Sequence, residues 1–259
     1  MIYKNLKSSL LYLSLAMFTT TLYGENLSVD QIINKAEQVA YYQGVDGSAV
    51  VNMENSDGRT RNFVILRKNF GRDQKFYVYF KRPSDLKDTT FLVHKNTTKE
   101  DDRWLFLPSL SLVKRIASGD KRTSFVGSNF YYEDISGRNP NLDNHSIHSQ
   151  DAKSYVIKSI PKDTKNLDFN YYLTTIDKTN FVVLKTSYFN DKNQEYRVYE
   201  ALEVKKVGEY HVVSKAVMKD LIANSSTTLS YSKLNFDIGL PEDIFTERYL
   251  KNPPKKYLN

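Results

Sequence analysis

Glu195-Tyr-Arg-Val-Tyr-Glu-Ala-Leu-Glu-Val-Lys-Lys-Val207 alternates. Tyr196, Val198, Leu202 and Val204 fall on one side of an extended chain, and Glu195, Arg197, Glu203 and Lys205 on the other. A period of two is what a strand shows when one face of its sheet is packed and the other meets water. The segments on either side read the same way. Strands are expected at about 154–160, 170–176, 181–189, 210–220 and 226–237, joined by polar turns such as Asp177–Asn180 and Asn190–Asn193. Links this short leave no room for a helical crossover, so neighbours pair antiparallel. In 226–237 the apolar set changes side, from Leu229 and Tyr231 to Leu234 and Phe236, which predicts a bulge or bend near Ser232.

An earlier series occupies about 48–54, 60–68, 75–80, 89–95 and 103–107, giving eleven strands in all. Phe76-Tyr-Val-Tyr-Phe80 is apolar on both sides and needs a cover on its second face, whether a helix, a lid segment or a ligand. Before these strands, Ser28-Val-Asp-Gln31 forms a capping box. Val29, Ile32, Ile33, Ala36, Val39 and Ala40 then recur at helical spacing up to Gly44.

Residues 108–150 differ in character, being rich in Ser, Asn, Gly and charge, and read as a functional loop with a lid helix at Asn129–Ile135 capped by Ser128. The chain closes with a helix start at Leu240-Pro-Glu-Asp243, then Ile244, Phe245, Tyr249 and a basic tail.

The first 24 residues carry Lys4 and Lys7, an apolar run Leu10–Phe18 and the small residue Gly24, the order of a cleaved secretory signal. The run is too short to span a bilayer, which takes roughly 20 apolar residues. Removing residues 1–24 takes away two lysines and no acid, lowering the formal charge from +7 to +5. Export excludes nucleic acid as a partner and leaves anionic headgroups or acidic protein faces for the basic surface. The 259 residues contain no cysteine, which excludes a disulfide scaffold, a thiolate metal site, a cysteine nucleophile and a lipidated cysteine. Residues 25–259 are expected to form a single domain held by packing alone. Tyr 19, Phe 14 and Trp 1 make 13% of the chain, and with few Gly and Pro this favours strands over disorder.

Catalytic signals are weak. His145 and His148 lie in a polar stretch without a third ligand, and His94 and His211 fall in strands. Asp101-Asp102 reads as a turn, and Glu133-Asp134 as decoration of the short helix. No nucleophile elbow, phosphate loop or zinc-helix motif occurs. No catalytic, metal or cofactor residue is therefore assigned. Nine Lys/Arg in 59–87 against Asp73 and Asp85, and Lys114, Arg115, Lys121 and Arg122 against Asp120, read as solvated faces or as a docking surface.

Pro83-Ser-Asp85, Thr90-Phe-Leu92, Trp104-Leu-Phe-Leu-Pro108, Lys114-Arg-Ile116 and Ser124-Phe-Val-Gly-Ser-Asn-Phe-Tyr-Tyr-Glu-Asp134 resemble the signature of the outer-membrane lipoprotein-sorting (LolA-like) family. Phe245-Thr-Glu-Arg-Tyr-Leu250 resembles its closing segment. Two positions depart from the pattern, Asp88 where a glycine is usual and Asn129 where an aspartate is usual.

The resemblance implies a mainly β (α+β) fold, an incomplete antiparallel β-barrel of about eleven strands whose concave apolar side is covered by helices. It implies a monomeric, non-enzymatic periplasmic carrier or chaperone for acyl chains of lipoproteins or lipids. Its partners would be an inner-membrane donor transporter of the ABC or RND type and an outer-membrane acceptor. Two other readings stay open, a docking accessory of an RND-type lipid exporter and an enzyme acting on envelope lipid. Trp104, Leu105, Phe106, Leu107, Phe125, Phe130 and Tyr132 are the candidate cavity or lid contacts, and Arg115 a candidate headgroup or partner contact. Alternation puts Trp104 and Phe106 on one face and Leu105 and Leu107 on the other, so at most one pair lines a cavity.

Overall fold

The computed structural model describes residues 27–258, so the expected leader lies outside the described residues. A helix α1 (Val29–Tyr41) leads into six strands: β1 (Asp46–Asn55), β2 (Thr60–Phe70), β3 (Asp73–Arg82), β4 (Thr90–Lys95), β5 (Asp102–Leu107) and β6 (Leu112–Arg115). A short helix α2 (Tyr132–Ser136) follows. Next come β7 (Asp143–Gln150), β8 (Ser154–Pro161), β9 (Tyr171–Asp177), β10 (Val183–Phe189), β11 (Glu195–Val207), β12 (Tyr210–Asp220) and β13 (Ser225–Phe236), then a short α3 (Arg248–Lys251). Among the described residues no helix is long and apolar enough to cross a membrane.

All thirteen strands form one antiparallel sheet in the order β6-β5-β4-β3-β2-β1-β13-β12-β11-β10-β9-β8-β7. Two meanders are joined where β13 returns to pair with β1, and β6 and β7 are the free edges of an open sheet. Thirteen strands replace the eleven read from sequence, and both additions lie in 108–150. β7 reads Asp-Asn-His-Ser-Ile-His-Ser-Gln and is exposed over most of its length. Its extended form comes from backbone bonds to β8, which leave no hydrophobic period to read.

Helix α1 begins where the capping box places it, with Gln31 N–H donating to Ser28 Oγ at 3.2 Å and Ser28 N–H to Gln31 Oε1 at 2.7 Å. Its buried stripe, Ile32 and Ala36, packs on Ile157 of β8 and Ile176 of β9. Helix α2 starts at Tyr132, later than expected, and Ser128 does not cap it. The Ser128 hydroxyl instead donates to Phe125 O at 2.7 Å, holding a tight turn.

The doubly apolar strand β3 has both faces covered. Phe76, Val78 and Phe80 join Phe63, Phe91 and Phe125 on one side. Tyr77 and Tyr79 join Leu66, Leu92, Ile244, Phe245 and Leu250 on the other. The second cover is the C-terminal segment. Phe245 and Leu250 are fully buried, each side chain contributing roughly 1.5–3 kcal/mol by leaving water. The segment is also bonded down, by Tyr77 Oη to Tyr249 O at 2.7 Å, Thr90 Oγ1 to Leu250 O at 2.8 Å and His94 Nε2 to Phe245 O at 2.8 Å.

In β11 the water-facing expectation fails for Arg197, which is 1% exposed, whereas Leu202 and Val204 are exposed. Bulges between Ala201 and Val204 break the register, and β10 pairs only with 195–200. The distal part of β11 therefore runs on with β12 alone, without β10 beside it, which exposes its apolar residues.

Candidate functional site

The inner side of the sheet encloses a cavity of about 410 Å³ between α1, the α2 segment and strands of both meanders. Helix α1 contributes Ile33, Val39 and Ala40, the α2 segment Phe130 and Ile135, and β2 Ile65. Tyr188 of β10, Tyr199 of β11 and Met218 of β12 complete much of the wall. Burial pushes the Tyr188 and Tyr231 hydroxyls up to about 12, so both are neutral.

β13 contributes Leu229, Tyr231, Leu234, Asn235 and Phe236 to this wall. Val50 pairs with Ser232 and Ser48 with Asn235, so one residue of β1 faces two of β13, and Lys233 takes a left-handed φ of 48°. This bulge lies where the change of apolar side predicted it. Leu229 and Tyr231 before it and Leu234 and Phe236 after it all line the cavity. The extra residue keeps the apolar set pointing inward where β13, still paired with β1, has lost β12 as a neighbour.

A buried charge network holds the α2 segment against the sheet. Glu133, 3% exposed, accepts from Arg122 Nη1 at 3.2 Å and Arg138 Nη1 at 3.0 Å. Asp134 pairs with Arg197, which also donates to Asn129 O at 2.7 Å. Burial works against the Arg138 charge, but its hydrogen bond to Asp143 and the Glu133 and Asp143 charges outweigh it and raise its pKa. The Glu133-Asp134 pair is therefore a structural anchor and not surface decoration. Asn129, the departure from the family pattern, donates Nδ2–H to Ser225 Oγ at 2.8 Å and accepts from Thr227 Oγ1 at 2.9 Å, using its amide at both ends. Asp88, the other departure, has a φ of 66°, a conformation in which glycine is unstrained.

Of the candidate cavity or lid contacts read from sequence, Phe130 lines the cavity. Glu133, Asp134, His145 and His211, to which the sequence gives no catalytic role, line it as well. Leu105, Phe125 and Tyr132 lie in the closed aromatic cluster beside it, where Phe91 meets Tyr132 at 5.3 Å and Phe125 meets Tyr132 at 5.5 Å between ring centroids. Leu107 packs at the margin of that cluster. Trp104 and Phe106 point to the opposite face, against the C-terminal segment. Arg115 is exposed and pairs with Asp102. The residues that sequence reasoning missed are the inner faces of α1, β10 and β13, and the one available signal was the change of side in 226–237. His145 lies in β7, its ring nitrogens engaged by Ser159 Oγ at 2.8 Å and Pro140 O at 2.9 Å. Among the described residues no three His, Asp or Glu side chains are grouped to hold a metal.

A family model described as an uncharacterized protein matches residues 72–252. A protein described as an outer membrane lipoprotein-sorting protein domain, from Vibrio parahaemolyticus, is 29% identical, with a TM-score of 0.76 over 85% of this chain and 97% of its own. The chain belongs to the LolA-like, lipoprotein-sorting family. The LolA-like fold recurs in a DUF1329 family protein from Desulfovibrio piger, 24% identical with a TM-score of 0.77 over 86% of this chain and 98% of that one. It recurs again in a LolA superfamily protein from Nitrosomonas europaea, 19% identical with a TM-score of 0.66 over 86% and 99%. A search of curated proteins returned no match.

Proposed function

We propose that this protein is a non-enzymatic periplasmic carrier that shelters acyl chains of a lipid or lipoprotein in its inner cavity and moves them towards the outer membrane. The observation that carries the reading is the apolar cavity of about 410 Å³, within the range of roughly 300–1,000 Å³ typical of small-molecule sites. The description of the Vibrio relative as a lipoprotein-sorting domain points the same way.

Each methylene held in water costs roughly 0.8 kcal/mol, so a sixteen-carbon chain costs roughly 12 kcal/mol and does not cross an aqueous compartment unshielded. In this reading α1 and α2 cover the inner side of the sheet and one of them moves to admit cargo. The adjoining aromatic cluster of Phe125 and Tyr132 yields further room when α2 shifts. A donor in the inner membrane and an acceptor in the outer membrane complete the route, and the carrier works as a monomer. Release needs few directional bonds in the wall, which is what Ile, Val, Leu and Phe provide.

Purification from the native periplasm, followed by organic extraction and mass spectrometry, tests the proposal. Acyl species in stoichiometric amount support it. An empty protein that co-purifies with an inner-membrane pump overturns it in favour of a docking accessory.

A further inference from the structure

Charge in the wall of an apolar cavity is costly unless a counter-ion meets it. Around this cavity the carboxylates are met: Glu37 lies 3.5 Å from Lys95, Glu133 is shared by Arg122 and Arg138, and Asp134 is held by Arg197. The Arg138 cation is met by Asp143 at 2.7 Å.

Arg67 of β2 stands apart. It lines the cavity, and among the described residues no carboxylate oxygen comes within 4.0 Å of its nitrogens. The nearby acids are committed elsewhere. Asp46 accepts the N–H groups of Ile238, Gly239 and Leu240 and lies 3.6 Å from Lys68. Asp237 accepts from Val45 N–H and from Tyr210 Oη.

Among the described residues the hydrogen-bond partners of Arg67 are neutral. Its Nη1 and Nη2 donate to the carbonyls of Tyr41 and Gln43 at the end of α1, the negative pole of that helix. A guanidinium carries five N–H donors, so two such bonds leave capacity for an incoming oxygen.

Its position is as telling as its isolation. Arg67 faces Gly47 and Phe76 across the ladders, with the Phe236 ring 5.8 Å from its guanidinium carbon. Here the sheet divides. The β12–β13 ladder stops at Lys215 and Ser230, while β11–β12 continues to Val207 and Tyr210. His211, Val212 and Val213 are left without a β13 partner and line the cavity together with Leu234 and Phe236. A divided wall, a cation with no direct ion pair among the described residues, the Asp237 and Asp46 charges acting on it only from a distance, and apolar space behind are the complement of an amphiphile with its chain inward and its head at Arg67.

We infer that Arg67 anchors the anionic headgroup, a carboxylate or phosphate, of a free lipid held in this cavity. The inference rests on the carrier reading and narrows its cargo, since an uncharged acyl group leaves Arg67 unmatched.

The test uses the full mature chain, stripped of lipid, with ligands matched in chain and differing in head. Palmitate is compared with hexadecanol, and dipalmitoyl phosphatidate with dipalmitoylglycerol; the pair showing the larger preference tells carboxylate from phosphate. The wild type is expected to favour the anionic member at least about tenfold. Arg67→Gln is expected to abolish the preference while its affinity for the neutral member stays within about twofold, and Arg67→Lys to keep part of it. No preference in either pair, or an Arg67→Gln variant that weakens both members equally, overturns the inference and leaves Arg67 as a cap for α1. If the wild type binds none of the four, this inference falls, while the carrier reading is decided separately by the acyl species extracted from the native protein. A wild-type measurement stands beside these in case Arg67→Gln does not fold. Palmitate labelled with carbon-13 at its carboxyl and bound beside Arg67 stays ionised below the usual carboxylate range. A bound carboxyl that titrates above that range overturns the assignment.

Discussion

The ring of Tyr41, at the end of α1, rests on the backbone of Gly137, just past α2: a methyl group at Gly137 would lie 2.5 Å from Tyr41 Cζ. Gly137 also has a φ of 76°. The two helices that help line the cavity therefore meet at a point where no side chain fits. Gly137→Ala is expected to destabilise the protein by about 2 kcal/mol or more, from steric overlap and left-handed strain together. The Tyr41→Ala, Gly137→Ala double variant is expected to lose less than the sum of the single changes, because the overlap disappears. Urea denaturation of the four proteins in a double-mutant cycle checks this, and strict additivity contradicts the contact.

Arg197 and Asp134 form a buried pair, with side chains 2% and 9% exposed. Arg197→Met strands the Asp134 carboxylate and is expected to cost about 3–5 kcal/mol. Adding Asp134→Leu removes the stranded charge and is expected to recover a large part of that loss. Thermal melts of the single and double variants measure both effects.

Cavity wall and outer face respond differently to substitution. Ile65→Trp projects into the cavity and is expected to weaken binding of a fluorescent fatty acid about tenfold, by filling space the chain would occupy. Phe106→Glu lies on the other face against the C-terminal segment. It is expected to lower the melting temperature while fatty-acid affinity stays within about twofold. Displacement titrations alongside melting curves separate the two outcomes.

Acid acts on the buried charge network of the α2 segment through Asp168, which pairs with Arg122 at 2.5 Å. Burial alone raises its carboxyl, but the charge and hydrogen bond of Arg122, with a bond from Tyr196 Oη at 2.7 Å, hold it below the usual 3.8. A carboxyl lowered by folding contributes stability that is complete above its unfolded value and lost as pH falls through its folded value. Asp168→Asn is expected to lower the melting temperature at pH 7 and to flatten its dependence on pH below about 4. An unchanged acid limb in that variant assigns the pH dependence to other groups.

The C-terminal segment is part of the core. Phe245 is fully buried against the outer face of β3 and β4, so Phe245→Ala is expected to cost about 3–5 kcal/mol. Protease sensitivity beyond residue 240 is expected to rise with it, as mass spectrometry of the fragments shows.

The antiparallel strands and the first helix were legible because their physics is local. Alternation reports a strand with one wet face, and the Ser28–Gln31 box satisfies the first turn of α1 by itself. The change of side after Tyr231 was legible too, since a bulge shifts the pattern by one residue. β6 and β7 were not, because edge strands bonded to a neighbour need no apolar period. Arg197 shows the converse: its charge reads as solvent-facing until the α2 segment brings Asp134 and Asn129 O to meet it.

The amino-acid sequence by itself determined the class of fold, the family signature and the supply of aromatic residues. Which aromatics face an enclosed space was decided only by the tertiary structure. Alternation divides Trp104 and Phe106 from Leu105 and Leu107, but it does not say which side of the sheet is the inside. That depends on where residues distant in the chain come to lie: the C-terminal segment on one face, and α1 and α2 on the other. The isolation of Arg67 is tertiary for the same reason, since it is set by acids at positions 46 and 237 that are close in space and already bonded to other groups.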